Sequence, residues 1–436
     1  MSDKKQTKGL AQRIASKKAL VAIVGLGHVG LIEAVTFAKA GFKVTGFDIN
    51  KDKIRALKRG ESSSADVNNQ DLKALVNSGD LTLETSPSNL AKADVIIITV
   101  PTLLSRHKNP DVNAVWDVAR HIVHHAKTPV FVSVESTCYP GATEELFQNL
   151  FSKHFEADRD LFLACAPARI DPGNKEWPLP SIPRIIGGLT PKSLELARSL
   201  YDQVVTSIIP ASSLKAAEMT KLMENSFRTV NIAFANQMQI ICHEMGINVW
   251  EIIKLAATKP FGFVPFYPGP GPGGTCIPVD PFYVSWKARE YEYHARFIEL
   301  AGEVLDEIPG FLLKRLYDML NGKSKAIENS KILLLGVAYK KDTAEISGAA
   351  AHSIVPRLME RGAKVFYHDP YVNKFRTNGT TLNSTKLSKS FLKSLDATII
   401  LTDHSQVDYE LIVRNNSLIL DTRNALADYD SANIHK

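Results

Sequence analysis

Residues 19–30 read Ala-Leu-Val-Ala-Ile-Val-Gly-Leu-Gly-His-Val-Gly, and this stretch decides the fold of the N-terminal half of the chain. A short apolar run, typical of a buried strand, leads directly into Gly25-x-Gly27-x-x-Gly30. A helix-like segment follows and runs to Ala40. A glycine fingerprint that follows a strand and opens a helix indicates a dinucleotide-binding βαβ unit.

An acid at the end of the next predicted strand bears on the choice of cofactor. The strand Lys43–Phe47 is followed by Asp48. The glycines allow the close approach of a pyrophosphate, which the N-terminus of the helix attracts. Asp48 can accept hydrogen bonds from both hydroxyls of an adenine ribose and would repel a 2′-phosphate, so we expect NAD rather than NADP. The alternative interpretation is a glycine-rich turn that binds no ligand.

Alternation of strands and helices continues after this unit. Short apolar runs separated by helical stretches predict a parallel sheet whose ligands gather at the carboxyl ends of the strands. Thr102 and Thr137 follow two of these runs and are therefore candidate site residues. The predicted strands are Asp94–Val100, Val130–Val134, Leu161–Ala166 and Ile185–Gly188.

A long helix is predicted over Ser212–Met245, which contains neither glycine nor proline. Ser212 or Ser213 is a suitable N-cap. Lys221, Asn225 and Arg228 are spaced at i, i+4 and i+7, so they share one face of the helix. Such a face is either a polar site or a solvated stripe.

A second α/β unit is predicted after a helical stretch that extends to about Leu320. The fold class is therefore α/β, with two Rossmann-like doubly wound domains joined by a long helix and a helical middle domain. The predicted segments are a basic flexible tail (1–18), an NAD-binding domain (19–210), a central helical domain (211–320) and a C-terminal domain (321–436). The strands of the second unit are predicted at Lys331–Val337, Lys364–Tyr367, Ala397–Leu401 and Ser417–Leu420, with a helix over Ala349–Arg361.

The loop at residues 266–280 reads Phe-Tyr-Pro-Gly-Pro-Gly-Pro-Gly-Gly-Thr-Cys-Ile-Pro-Val-Asp. Its alternating glycines and prolines predict a stiff, shaped loop rather than a helix or strand. Cys276 lies in this loop and Asp280 follows four residues later. A thiol held among polar neighbours in a rigid loop is suited to covalent catalysis at a carbonyl carbon. The alternative is a buried cysteine that acts as a small hydrophobic residue.

Composition excludes several classes of protein. A hydrophobic content of 44% and a charged content of 22% are those of a globular protein rather than a disordered one. The basic tail lacks an apolar core, so we interpret it as a solvated terminus and not as a signal peptide, a membrane anchor or a nucleic-acid arm. Four scattered cysteines without metal-ligand spacing favour a reducing cytoplasm and no metal site.

Together these motifs resemble the UDP-glucose/GDP-mannose dehydrogenase family, over residues 19 to 426. The loop around Cys276 is most similar to the UDP-N-acetylhexosamine 6-dehydrogenase branch. The other matching stretches are Gly-Leu-Gly-His-Val-Gly-Leu (25–31), Glu-Ser-Thr-Cys-Tyr-Pro-Gly-Ala-Thr-Glu-Glu (135–145), Glu-Met-Thr-Lys-Leu-Met-Glu-Asn-Ser-Phe-Arg (218–228), Gly-Val-Ala-Tyr-Lys-Lys-Asp (336–342) and Asp-Thr-Arg-Asn-Ala (421–425).

The resemblance implies an NAD-dependent enzyme that oxidises the C6 alcohol of a UDP-sugar to a carboxylate in two hydride transfers. Cys276 would capture the intermediate aldehyde as a thiohemiacetal, and the second hydride transfer would leave a thioester for water to hydrolyse. Lys221 and Asn225 would stabilise the oxygen that becomes negative. Asp280 and Thr137 would position the catalytic water.

Ligand contacts are implied in the same way. The C-terminal domain would bind the UDP-sugar, and the long helix and middle domain would form a homodimer in a cytoplasmic, metal-free enzyme of polysaccharide biosynthesis. The implied cofactor contacts are Gly25, Gly27, Gly30, Asp48 and Thr102. The implied substrate contacts are Phe266, Tyr267, Gly273, Tyr339, Lys340 and Arg423. Of these, the cations Lys340 and Arg423 would face the diphosphate.

Several positions depart from the pattern of the family. Ala168 stands where the family has a glutamate that assists the catalytic water, and Thr275 stands where this branch has histidine. Residues 346–350, which include Ser347, replace a segment whose arginine reaches the NAD side of the site. Leu305 and Gln237 occupy the positions of an expected asparagine and glutamate.

Three hypotheses follow from these departures. The first is an active dehydrogenase that is slow in hydrolysis. The second is a catalytically weakened paralogue that binds nucleotide sugar or NAD as a regulator or partner. The third is a fold relative of the 6-phosphogluconate dehydrogenase type, which leaves the cysteine loop without a purpose. We favour the first, because a protein that only binds has no need to keep Cys276, Lys221, Asn225 and Asp280 together.

Overall fold

The computed structural model describes residues 2–62, 64, 66–105, 107–171, 173–174, 176–274 and 276–436. These residues form two compact units, which are described separately below. The first consists of Met1–Glu224 with Phe282–Tyr293, and the second of Asn225–Pro281 with His294–Lys436. The boundary between the units falls inside a helix. The division into domains at 19–210, 211–320 and 321–436 stays a prediction.

The first unit is built on an eight-stranded sheet. Its strands are β1 (Leu20–Val24), β2 (Lys43–Phe47), β3 (Leu81–Glu84), β4 (Val95–Ile98), β7 (Val130–Val134), β8 (Leu161–Cys165), β9 (Arg184–Gly188) and β10 (Ile208–Pro210), and a small hairpin of β5 (Leu103–Leu104) and β6 (Pro110–Asp111) follows β4. The strand order is β10-β9-β8-β7-β4-β1-β2-β3. All neighbours are parallel except β8 and β9, which are antiparallel. The predicted α/β class is therefore confirmed, with the two strands at one edge, β9 and β10, running opposite to the other six.

Helices cover this sheet and connect its strands. They are α1 (Ser2–Ala15), α2 (His28–Lys39), α3 (Lys51–Lys58), α4 (Asn69–Ser78), α5 (Asn113–His125), α6 (Ala142–Asn149), α7 (Pro191–Tyr201) and the start of α8 (Leu214–Glu244). Strands β4 and β7 are buried along their whole length, as expected for a parallel sheet covered on both faces.

The prediction of a flexible tail over residues 1–18 is wrong for most of that segment. It forms helix α1, and the side chains of Leu10 and Ile14 are fully buried in the core of the first unit. Arg13 donates a hydrogen bond from Nη2 to Oδ1 of Asp94 at 2.7 Å. Two apolar residues four positions apart give this basic helix one narrow face that it can bury.

The second unit contains a five-stranded parallel sheet. Its strands are β11 (Lys331–Leu335), β12 (Lys364–His368), β15 (Ala397–Ile400), β16 (Ile419–Asp421) and β17 (Ile434–His435), in the order β12-β11-β15-β16-β17, with a separate hairpin of β13 (Lys374–Thr377) and β14 (Thr380–Asn383). The helices after α8 are α9 (Val249–Ala256), α10 (Asp280–Arg289), α11 (Arg296–Asn321), α12 (Ala351–Glu360), α13 (Lys389–Lys393) and α14 (Tyr409–Asn415).

Helix α8 confirms the prediction of one long helix in the middle of the chain. Ser213 caps it, because its Oγ accepts a hydrogen bond from the backbone N–H of Ala216 at 3.1 Å. The helix ends two residues before Gly246, which has a left-handed φ of +69°. Among the helices of the described residues, none combines the length and the apolar composition that a bilayer crossing requires.

Candidate active site

The glycine fingerprint of the first unit lies between β1 and α2. A Cβ atom on Gly30 would lie 1.9 Å from the carbonyl oxygen of Gly25, so helix and turn pack without room for a side chain. Gly25 itself has a left-handed φ of +99°. By contrast, a Cβ atom on Gly27 would have no described atom within 4 Å. The turn is therefore closed on its inner side and open at the helix N-terminus, as a pyrophosphate site requires.

Asp48 follows β2 and is held by three donors. Oδ2 accepts from the backbone N–H of Leu26 at 3.1 Å and from Nζ of Lys53 at 2.6 Å, and Oδ1 accepts from the N–H of Asn50 at 2.9 Å. These bonds turn the carboxylate toward the glycine turn. Sequence reasoning missed Lys53, although Asn50 as the cap of α3 places it on the first turn of that helix.

Thr102 and Thr137 are half-buried and follow β4 and β7, which are neighbours in the sheet. Oγ of Ser136 donates to the carbonyl oxygen of Val100 at 2.7 Å and so ties the two strand ends together. The structure thus places both threonines at one edge of the first unit, on the two sides of this bond.

Lys221 lies on the part of α8 that belongs to the first unit. Its Nζ donates to the carbonyl oxygen of Ala168 at 2.6 Å, and the side chain of Ala168 is buried. Next to it, Nε of Arg169 donates to a carboxylate oxygen of Glu224 at 3.0 Å. The segment after β8 is therefore attached to α8 by a lysine and by an ion pair. Since the contact to Lys221 uses the backbone, the alanine in place of glutamate does not remove it.

Cys276 lies at the start of the turn that leads into α10. Its carbonyl oxygen accepts from the N–H groups of Val279 at 3.1 Å and Asp280 at 2.8 Å. Its side chain is exposed, whereas the other three cysteines of the chain are buried. Solvent access is what a nucleophilic thiol requires. Thr275 lies outside the described residues.

Helix α8 holds this cysteine turn through two side chains in the second unit. Nδ2 of Asn225 donates to Oδ2 of Asp280 at 2.5 Å, and both side chains are buried. Oγ1 of Thr229 lies 3.2 Å from the carbonyl oxygen of Ile277 and also donates to the carbonyl oxygen of Asn225. Sequence reasoning missed Thr229, although it lies one turn after Asn225 on the face that carries Lys221.

Two glycines of the cysteine loop pack so closely against side chains of the second unit that a larger residue would not fit. A Cβ atom on Gly273 would lie 2.2 Å from Cβ of Tyr339, and one on Gly269 would lie 2.9 Å from a guanidinium nitrogen of Arg423. Tyr339 and Arg423 therefore sit directly against the backbone of the loop. Around them lies a cleft of about 230 Å³, open to solvent and lined by Pro270, Gly271, Gly273, Gly336, Ala338, Tyr339, Ala350, Ala351, Leu401, Thr402 and Arg423.

Arg423 has the surroundings of an anion-binding residue. It donates from Nε to the carbonyl oxygen of Leu401 at 3.0 Å and from Nη2 to that of Tyr339 at 3.3 Å. Among the described residues no carboxylate forms an ion pair with it. Burial lowers the pKa of Arg423, and the negative charge of Asp403 opposes that effect. A guanidinium held by neutral carbonyl groups leaves its charge for a ligand.

The remaining predicted substrate residues are placed differently. Phe266 packs against Phe227 of α8 with ring centroids 5.6 Å apart. Tyr267 stacks on Trp250 of α9 at 5.9 Å and is half-exposed. Neither lines the cleft, and nor does Lys340, which is half-buried in the loop after β11. Of the predicted substrate residues, the structure brings together Gly273, Tyr339 and Arg423 in the cleft. The ring partners Phe227 and Trp250 could not be predicted from the sequence, because tertiary packing determines them.

The segment that departs from the family pattern also touches the cysteine loop. The N–H of Gly274 donates to the carbonyl oxygen of Ser347 at 2.8 Å. Gly348 has a left-handed φ of +62°, and a Cβ atom there would lie 2.6 Å from the carbonyl oxygen of Gly274. The backbone of Ser347 and Gly348 therefore lies directly against the cysteine loop at Gly274.

A nucleotide-binding turn with an acid after its second strand, an exposed cysteine in a glycine-rich loop and a guanidinium cleft define an NAD-dependent dehydrogenase that acts on a nucleotide sugar. The chain belongs to the UDP-glucose/GDP-mannose dehydrogenase family. The NAD-binding domain of that family matches residues 19–205, its central domain residues 215–306 and its UDP-binding domain residues 333–428.

Relatives with similar sequences carry more specific names. The chain is 36% identical to UDP-N-acetyl-D-glucosamine 6-dehydrogenase of Pseudomonas aeruginosa over 360 residues, which cover 82% of this chain and 84% of that protein. It is 32% identical to UDP-N-acetyl-D-mannosamine dehydrogenase of Methanococcus maripaludis over 419 residues, 93% of each chain. The solved structure of UDP-D-ManNAc dehydrogenase from Pyrococcus horikoshii is similar with a TM-score of 0.85 at 31% identity, covering 95% of this chain and 97% of that one.

Proposed function

We propose that this protein oxidises the C6 hydroxyl group of a UDP-N-acetylhexosamine to a carboxylate. One observation carries the proposal: the bond between Asn225 and Asp280 fixes the turn of Cys276 in the same compact unit as the Arg423 cleft. A reactive thiol is thereby attached to a site suited to a diphosphate. The names of the similar proteins support the choice of an N-acetylated hexosamine.

The overall reaction consumes one water and two NAD⁺ for each sugar. A primary alcohol becomes a carboxylate, and two NADH and three protons are released, so that atoms and charge balance. Bound NAD⁺ would supply the hydride acceptor for C6 in each oxidation. Gly25, Gly27, Gly30, Asp48 and Thr102 are the residues proposed to hold this cofactor, through the open turn and the carboxylate described above.

Covalent capture separates the two oxidations. The alcohol first becomes an aldehyde, and the thiolate of Cys276 adds to its carbonyl carbon to give a thiohemiacetal. Loss of the second hydride leaves a thioester. We propose that the ammonium group of Lys221 stabilises the oxygen that is negative at each stage, with Asn225 as a further donor. Retention of both residues in a chain that also keeps Cys276 argues against the paralogue that only binds.

Water releases the product. We propose that Asp280 and Thr137 position the water that attacks the thioester, so that the C–S bond breaks and the thiol is regenerated. The side chain of Ala168 contributes no carboxylate to this step. Hydrolysis is therefore the step where this chain is expected to be slowest.

The UDP end of the substrate is assigned to the second unit. We propose that Arg423 and Lys340 face the diphosphate and that Tyr339 contacts the uridine, with Gly273 allowing the close approach of backbone to ligand. Phe266 and Tyr267 shape the loop from the side of α8 and α9.

We further propose that the protein is a homodimer through the outer face of α8. Phe227, Phe234 and Ile241 recur at seven-residue spacing on this helix and are 54%, 58% and 43% exposed. A stripe of exposed apolar side chains at this spacing is suited to packing against an identical helix. Phe234→Glu should convert the dimer to a monomer in light scattering coupled to size exclusion, whereas Lys254→Glu on α9 should not. A wild-type protein of monomer mass would contradict this proposal.

The activity is tested with purified protein, NAD⁺ and a panel of UDP-GlcNAc, UDP-ManNAc, UDP-GalNAc and UDP-glucose. We expect two NADH per sugar with an N-acetylated substrate, loss of product with Cys276→Ala, and normal product with Cys242→Ala, which removes a buried cysteine. No NADH with any sugar would overturn the proposal.

A second arm tests the expected weakness in hydrolysis. A rapid burst of NADH with sugar retained on the protein by mass spectrometry would identify thioester hydrolysis as rate-limiting. In that case Ala168→Glu should increase steady-state turnover and the uncharged Ala168→Gln should not. Steady turnover without a burst would place the slow step elsewhere.

A further inference from the structure

A buried carboxylate lies behind the loop at residues 337–342, which carries Tyr339 and Lys340. Oδ2 of Asp369 accepts from the N–H groups of Val337 at 2.8 Å and Ala338 at 3.1 Å. Oδ1 accepts from the N–H of Tyr371 at 2.8 Å. Burial alone would raise the pKa of Asp369, but the hydrogen bonds of His404 and Val337 outweigh burial and lower it to about 2. Asp369 is therefore an anion that fixes the first residues of the loop.

His404 is fully buried and fixes the other end of the same loop. Its Nε2 lies 3.1 Å from Oδ2 of Asp369, and its Nδ1 accepts from the backbone N–H of Asp342 at 2.9 Å. A backbone N–H can only donate, so Nδ1 is the acceptor and Nε2 carries the hydrogen that is donated to Asp369. The two partners thus select one neutral tautomer of the imidazole.

The loop would not keep its shape without such supports. Asp342 has a left-handed φ of +57°, which is unfavourable for a residue with a side chain. Its carboxylate accepts from the N–H of Ser405 at 2.8 Å and from Oγ of Ser405 at 2.7 Å, and its own N–H is bonded to His404. At the start of the loop, Oγ1 of Thr402 donates to the carbonyl oxygen of Ala338. Backbone strain of this kind persists only where several contacts over-determine the conformation.

We propose that the Asp369–His404 pair is a positioning device that shapes the loop 337–342 for the nucleotide end of the substrate. The inference rests on the proposed function, because it assigns UDP to the cleft that Tyr339 lines. The pair joins three chain segments that are distant in sequence: the loop itself, the end of β12 and the segment after β15. Its effect is on ground-state binding of UDP and not on the chemistry at Cys276.

Two variants of His404 separate the two hydrogen bonds. His404→Asn places an amide oxygen near the position of Nδ1, which keeps the bond to Asp342 and loses the donor to Asp369. His404→Gln places an amide nitrogen near the position of Nε2, which keeps the donor to Asp369 and loses the acceptor for Asp342. Loss of either buried bond is expected to weaken UDP binding by ~10-fold. His404→Ala loses both bonds and is expected to weaken UDP binding by ~100-fold.

The experiment measures the Kd of UDP by calorimetry, the KM values of both substrates, kcat and the Tm. We expect higher values for the Kd of UDP and for the KM of the UDP-sugar, while kcat and the KM of NAD⁺ stay within twofold. The matched control is Thr398→Val in β15, whose hydroxyl bonds Nδ2 of Asn416 at 2.8 Å and not the loop. This buried change should lower the Tm and leave the Kd of UDP unchanged.

Each outcome decides the question. A lower Tm with an unchanged Kd of UDP in the His404 variants would make the pair a stabilising core contact and overturn the proposal. The same holds if Thr398→Val weakens UDP binding as much as the His404 variants do, or if the wild-type protein binds no UDP. Wild-type binding of UDP without oxidation of any sugar would refute the proposed function alone, since the effect on UDP binding is measured without turnover.

Discussion

Asn225 on the long helix donates a hydrogen bond to the buried carboxylate of Asp280, with 2.5 Å between Nδ2 and Oδ2. Because Asp280 also donates its N–H to the carbonyl oxygen of Cys276, one amide side chain connects the helix to the start of the cysteine turn. The backbone that carries the thiol is therefore attached to a residue 51 positions earlier in the chain, by the difference between 276 and 225.

Asn225→Asp tests this connection. A second carboxylate against Asp280 replaces attraction by repulsion, and one of the two must take up a proton or move away. We expect kcat to fall ~100-fold, as for loss of a positioned acid–base group. Stopped-flow NADH formation at saturating substrates measures the effect. Asn231→Asp, on the same helix, is the control. An equal fall in kcat in both variants would refute the special role of Asn225.

Gly273→Ala tests the contact between loop and tyrosine. The new Cβ atom would lie 2.2 Å from Cβ of Tyr339, so the loop or the ring must shift. Overpacking of this kind costs ~1–3 kcal/mol, which corresponds to a rise of ~5- to 100-fold in the KM of the UDP-sugar. Gly310→Ala in α11 meets its nearest atom at an ordinary 3.7 Å and should leave the KM unchanged. An unchanged KM in Gly273→Ala would mean that the loop adapts freely.

Asp48→Ala tests the choice of cofactor. Removing the carboxylate takes away a charged acceptor of ribose hydroxyls, so the KM of NAD⁺ should rise ~10- to 100-fold. It also leaves Lys53 without the ion pair measured at 2.6 Å, and this cation should improve the use of NADP⁺. The gain should disappear in Asp48→Ala combined with Lys53→Met. Equal NADP⁺ activity in the single and double variants would contradict the role of Lys53.

A buried glutamate predicts a dependence of stability on pH. In the core of the first unit, Nη1 of Arg184 donates to Oε2 of Glu135 at 2.9 Å and Nη2 donates to Oε1 of Glu33. Burial raises the pKa of Glu33 to about 8, although Arg184 opposes the shift. The unfolded value is ~4.3, so the folded protein binds the extra proton between these values and its free energy of unfolding falls as pH rises toward 8.

Glu33→Gln should remove this slope, whose limit for one group is ~1.4 kcal/mol per pH unit. The free energy of unfolding is measured with denaturant at pH 5 to 9. Up to about pH 8, the value for the wild type should fall relative to the value for Glu33→Gln. Above about pH 8, the difference between the two should stay constant. Glu195→Gln, an exposed change on α7, should follow the wild type throughout. Parallel curves for wild type and Glu33→Gln would mean that Glu33 is ionised in the fold.

The parts of the fold and site that the sequence predicts are those that local chemistry determines. Gly25, Gly30 and Asp48 are recognisable because turn, helix and strand end follow one another within thirty residues. The antiparallel pairing of β8 and β9 depends on the path of the chain between them and leaves no local signal. Helix α1 was hidden by its charge, since among its described side chains, at residues 9–15, the buried ones are Leu10 and Ile14.

The features that could not be predicted from the sequence are contacts between segments that are distant in the chain. Phe266 and Tyr267 stay predicted ligand contacts by resemblance, and no local pattern indicates their ring partners in the fold, Phe227 and Trp250. The pair of Asp369 and His404 joins residues that no spacing rule connects. The roles proposed for Cys276, Lys221, Asn225, Asp280 and Thr137 stay predictions for the experiments above.

The difference in exposure among the cysteines allows the thiol of the proposed active site to be titrated. Cys138, Cys165 and Cys242 are buried, and burial raises the pKa of the Cys165 thiol well above its usual value, so these three react slowly with electrophiles. Cys276 is exposed in the turn that precedes α10. A small alkylating reagent added in stoichiometric amount should therefore label one sulfur per chain. The fraction labelled in the purified protein, read by mass spectrometry, would give the concentration of chains whose Cys276 thiol is reduced and accessible.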